Sequence, residues 1–164
     1  MVDSQETDIN QECLNEMIAN LPDKLSGEWI KRNSSYEIDL CNDIGWIADT
    51  NRYFDARYGK IAIEIKKGKS IWLDLVRYSE IALGIGVKNT VTAFFIPDKD
   101  KSYIEKILFV YTDDIIRILK IDKYLAESLT SLNKNMPRSL NCQASLTVHD
   151  LSEIAFHTKY FNNK

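Results

Sequence analysis

The sequence predicts a single α/β domain in which one mixed sheet carries helices on its faces. Three stretches predict it. Ile61, Ile63 and Ile65 alternate with Ala62, Glu64 and Lys66, the two-residue period of a strand with one buried face. "NTVTAFFIP" is β-rich and almost wholly apolar, as a central strand covered on both sides must be. "IWLDLVRYSEIAL" spaces Ile71, Leu75, Tyr78 and Ala82 along one helical face. With 164 residues, 45% of them hydrophobic, the chain can bury one ordinary core, and no linker or repeat divides residues 1–164.

The elements follow in order. Residues 8–20 have helical spacing through Ile9, Cys13 and Met17, with Leu14 and Ile18 alongside. Leu25, Trp29 and Ile30 suggest a second helix, weakened by Gly27. "SYEIDL" alternates Tyr36, Ile38 and Leu40 against Glu37 and Asp39 and reads as a strand. "CNDIGWIADTNR" has turn chemistry around a short apolar piece. "YFDARYGKIAIEIKK" reads as two strands turning near Tyr58-Gly59. Ser70 can cap the helix that begins at Ile71, and Gly84 ends it. "KILFVY" is a further strand, and Thr112 or Asp113 can cap a helix over "DIIRILKIDKYLAESLTSL". Beyond Pro137, "CQASLTVH" reads as an edge strand and "DLSEIAFHTKYF" as a terminal helix.

Composition narrows the function. No run of about 18 apolar residues is present, so no membrane span is expected. The polar, acidic N-terminus has no signal-peptide pattern, and three scattered cysteines form no disulfide framework, so a cytoplasmic location is expected. A net charge of −3 argues against non-specific coating of nucleic acid. Yet Arg52, Arg57, Lys60, Lys66, Lys67 and Lys69 face only Asp55 and Glu64 within residues 52–69, a local +4 that suits phosphate. "GIG" at Gly84 follows a helix rather than a strand, which excludes a dinucleotide loop, and His149 and His157 have no third ligand nearby.

Side chains alternate across a strand, so Glu64 and Lys66 share the face opposite the isoleucines. A two-residue loop at Tyr58-Gly59, or a four-residue one, pairs Ala56 with Ile61 and Asp55 with Ala62. Asp55 then shares the face of Glu64 and stands diagonal to it, roughly 7–8 Å away. A three-residue loop would turn Asp55 to the wrong face. Two close carboxylates repel unless a cation joins them. Mg²⁺ prefers such oxygens and keeps water and phosphate in its shell. Lys66 can orient the attacking water or neutralise developing charge. Arg52, Arg57, Lys67 and Lys69 are the candidates for flanking DNA phosphates.

Asp55, eight residues, then Glu64-Ile65-Lys66 resembles the PD-(D/E)xK nuclease superfamily, although Phe54 stands where the motif has proline. The resemblance implies a restriction-endonuclease-like αβββαβ core from about Leu14 to Tyr111. It implies that Asp55 and Glu64 bind Mg²⁺, with Mn²⁺ able to substitute, and that Lys66 assists the hydrolytic water. Many members add a glutamate from the first helix. Glu28 in "SGEWIKR" is the candidate here, with Glu16 and Glu37 behind it. The small size resembles type II restriction endonucleases, which implies a homodimer cutting a short specific site in double-stranded DNA. Two alternatives remain: a structure-specific nuclease of the same fold, such as a junction resolvase or repair nuclease, and a non-catalytic DNA-binding or interaction module. Lys123 to His149 is the expected segment for dimerisation or recognition.

Overall fold

Helix α1 (Gln11–Ala19) begins where the Asn10 side chain accepts the Cys13 N–H, and it buries Leu14 and Met17. The computed structural model describes residues 10–25, 29–32, 35–86, 90–135 and 143–161. Helix α2 (Glu37–Ile44) takes the place of the strand expected at "SYEIDL". The alternation there is a short coincidence inside a longer helical pattern. Leu40, Cys41 and Ile44 are buried on one side, Ile38 is exposed, and Gly45 closes the helix in the left-handed region at φ 85°.

The strands are β1 (Ile47–Ala48), β2 (Ala56–Tyr58), β3 (Ile61–Lys67), β4 (Ile71–Asp74), β5 (Val91–Pro97), β6 (Ile104–Tyr111), β7 (Gln143–Leu146) and β8 (His157–Tyr160). Six of them form one sheet in the order β1-β2-β3-β5-β6-β8. Only β3 and β5 run parallel; the other neighbours are antiparallel. The parallel pair needs a crossover. It is supplied by β4 and helix α3 (Leu75–Ala82).

The helix does not start after Ser70 as expected. Residues 71–74 pair with β7 in a separate two-stranded ribbon, and Asp74 caps α3 by accepting the Val76 and Arg77 N–H groups. The single helix expected after Thr112 is two, α4 (Thr112–Ile118) and α5 (Lys123–Asn135), separated where Lys120 adopts φ 57°. Thr112 is no cap: its buried hydroxyl meets those of Thr90 and Thr92. The expected terminal helix ends early, as α6 (Val148–Ile154), and its remainder is β8.

The sheet is covered on both faces. Ile61, Ile63, Ile65, Ala93 and Phe95 pack with α1 and α2. Phe94, Ile96 and Leu108 pack with β4, α3, α4 and α6. Strand β5 is buried at every position, which explains its unbroken apolar run. The register sets Glu64 beside Thr92 and Lys66 beside Phe94, so the polar residues of β3 lie on the α3 side. No described helix is long and apolar enough to cross a membrane.

Candidate functional site

The β2–β3 hairpin turns through Gly59-Lys60, one residue later than expected, with Tyr58 opposite Ile61. Gly59 is required at this turn. Its φ is 58°, and a Cβ would meet the Cys13 sulfur at 2.9 Å. Moving the turn by one residue moves every pairing by two. The side-chain parity survives, so Asp55 stays on the Glu64 face, but Ala56 now stands opposite Ile63 and Asp55 comes beside Glu64 instead of diagonal to it. The Asp55 N–H donates to the Ile63 carbonyl at 2.9 Å, and Asp55 Oδ2 accepts the Ile65 N–H at 2.9 Å. The two carboxyls stand near enough for the charge of Asp55 to act on Glu64.

This pair is poorly solvated. Glu64 is 6% exposed. Burial first, and then the negative charge of Asp55, push its pKa up to about 7. Asp55 is also raised, chiefly by burial, against the pull of the Ile65 N–H. Glu37, half-buried in the first turn of α2, adds its charge to Asp55. Two cations oppose the acid pair. Lys66 Nζ is 3.6 Å and Arg77 Nη1 is 3.4 Å from Glu64 Oε1. These contacts are long and single-point, and they leave Glu64 harder to ionise than an exposed glutamate.

Sequence reasoning missed Arg77. The signal was a guanidinium between Val76 and Tyr78 on a helix that otherwise buries its apolar side. Its Nε is buried without a hydrogen-bond partner. Of the three glutamates considered to complete the acid set, Glu28 lies outside the described residues, Glu16 is exposed on α1, and Glu37 is the one whose charge reaches Asp55.

The basic residues of 52–69 do not act together. Arg52 makes a two-point contact with Glu80 at 2.8 Å for each bond, and the Tyr53 hydroxyl donates to the same carboxylate at 3.1 Å. Arg57 pairs with Asp49 at 2.7 Å on the neighbouring strand end. Lys67 donates to the carbonyls of Trp29, Ile30 and Arg32 and lies 4.4 Å from the Tyr36 ring centre. All three cations are engaged within the chain. Lys69 is exposed.

Among the described residues no three carboxylate, imidazole or thiol groups converge as a ready-made metal cage. Two desolvated carboxylates still fit a hard divalent ion that completes its shell with water and phosphate, the usual arrangement for Mg²⁺. Comparison of the chain with protein-family models, curated proteins and solved structures finds no match in any of the three.

Proposed function

We propose that this protein is a Mg²⁺-dependent DNA endonuclease of the restriction-endonuclease-like type. The observation that carries the reading is the placement of Asp55 beside Glu64 on adjacent chain segments, with Lys66 3.6 Å from Glu64. The chain order supports it as well. A helix, three antiparallel strands, a helix and a strand parallel to β3 follow one another as the resemblance implies, with β4 added before α3.

Asp55 and Glu64 would hold the ion and, with Glu37, answer its charge. Bound there, Mg²⁺ would acidify a water ligand and draw charge from the phosphodiester. The Ile65 N–H fixes one Asp55 oxygen and so limits its rotation. Lys66 is placed to orient the attacking water or to neutralise charge at phosphorus. Arg77 supports Glu64 in its ionised form. Water adds to phosphorus and the ester oxygen leaves, giving the 5′-phosphate and 3′-hydroxyl ends that the resemblance implies. A homodimer would place two such sites on the two strands of a short symmetric DNA sequence.

Incubation of plasmid and branched DNA with the protein and Mg²⁺ tests the reading. Discrete plasmid fragments, lost in Asp55→Asn, are expected. Cutting confined to branched DNA would favour a junction resolvase or repair nuclease. No cutting with either Mg²⁺ or Mn²⁺ would favour a non-catalytic DNA-binding or interaction module.

A further inference from the structure

A cleft of about 450 Å³ opens beyond the C-terminal ends of β3 and β5. Its walls carry Lys31, Arg32, Lys67 and Lys101, against Asp100 as the acid. Two of these cations are already committed: Lys67 to three backbone carbonyls, and Arg32 to Asp39. Lys31 and Lys101 are exposed and have no ion-pair partner among the described residues. The Lys101 position is built. Asp98 accepts the Ser102 and Tyr103 N–H groups, its carbonyl accepts the Lys101 N–H at 3.2 Å, and Lys101 adopts φ 54°. The cations also feel one another. Lys67 loses proton affinity, first through burial and then through the charges of Arg32 and Lys101.

We infer that this cleft binds the phosphodiester backbone of a nucleic-acid strand, with Lys31 and Lys101 as the phosphate contacts. The choice of a strand over a small phosphate rests on the proposed nuclease reading and on position. Gly68 in the cleft is four residues from Glu64, roughly 13 Å along an extended strand, or about four base steps of duplex rise. Lys67 shares the α1–α2 side with the isoleucines and Glu64 lies on the α3 side, so a strand that meets both places would cross the C-terminal end of β3. The cleft lies apart from the acid pair and needs no metal.

Binding of a labelled duplex, read by fluorescence anisotropy in chelator at low salt, tests the cleft with cleavage switched off. It therefore succeeds or fails independently of the acid pair. Lys31→Gln with Lys101→Gln is expected to weaken binding at least tenfold and to flatten the log affinity–log salt slope by about 2, near one per lost phosphate contact. The double arginine variant should retain binding. An unchanged melting temperature would show that the glutamine variant is folded, since both lysines are exposed. Unchanged affinity in that variant overturns the proposal. Pyrophosphate that competes as well as DNA at equal phosphate concentration also overturns it, in favour of a small phosphate ligand.

Discussion

Glu64 and Glu80 both expose little surface, 6% and 8%, but Glu64 lies deeper in the protein, and their pKa values shift in opposite directions. Glu80 receives two bonds from one guanidinium and a third from a tyrosine hydroxyl, and these hold its pKa below the ordinary value despite burial. Glu64 has two cations within reach, but each is more than 3 Å away and a second carboxyl lies against it. Depth of burial and the geometry and sign of the partners together decide the charge state of a carboxylate. Arg52 and Glu80 form a closed pair that joins the loop before β2 to α3. Asp55 and Glu64 form an open one, left short of positive charge beside the middle of β3.

The largest effect is expected from removing an acid of the open pair. Asp55→Asn and Glu64→Gln should each lower Mg²⁺-dependent cleavage by more than about 10³-fold, a barrier change of roughly 4 kcal/mol. Asp55→Asn should nonetheless be more stable than the parent at pH 8 without metal, by about 1–2 kcal/mol, because it removes the repulsion. Calorimetric melting beside a plasmid assay checks both halves. An asparagine variant that melts lower than the parent would show that the acids do not strain the fold.

The pH dependence comes next. A carboxylate whose folded pKa is raised opposes folding once it must ionise. Glu64 therefore contributes nothing unfavourable below about pH 4.5. It costs increasing stability as pH rises toward 7, reaching roughly 3 kcal/mol above that. Asp55 acts in the same direction. The metal-free protein should lose melting temperature between pH 5 and 8, and Mg²⁺ should restore more of it at pH 8 than at pH 5. Glu80 has the reverse sign. Its contribution is present above the ordinary carboxylate value and is lost as acid takes the pH through its lower folded value.

Breaking the closed pair should cost less and leave chemistry alone. Arg52→Ala strands Glu80 without its guanidinium and is expected to cost about 2 kcal/mol in urea unfolding, a value discounted because Arg52 is half exposed. Cleavage per folded molecule should persist. The smallest effect is expected at Glu37. Glu37→Gln should raise the Mg²⁺ concentration needed for half-maximal cleavage about threefold, near 0.7 kcal/mol, without moving the melting temperature at acid pH. An unchanged metal requirement would detach Glu37 from the site.

The placement of the candidate acids was largely legible because side-chain alternation is local. The Ile61, Ile63, Ile65 series orients Glu64 and Lys66 whatever the rest of the chain does. The even-numbered slip of the hairpin register preserved the face of Asp55. What escaped depended on longer patterns or distant partners. "SYEIDL" satisfies two periods at once, and only the burial of Cys41 and Ile44 further along resolves it as a helix. Residues 71–74 are extended because β7, some seventy residues later, pairs with them.

By itself, then, the chain determined an α/β arrangement, a buried β3 with one polar face, and an acid-and-lysine motif on that face. Tertiary packing decided how each charge is used. It gave Arg52 to Glu80 and Lys67 to three carbonyls, brought Arg77 to Glu64, and left Lys31 and Lys101 in an open cleft. The physical reason is range. Side-chain direction along a strand follows from neighbouring residues, whereas the field at a carboxylate is the sum over every group folded around it.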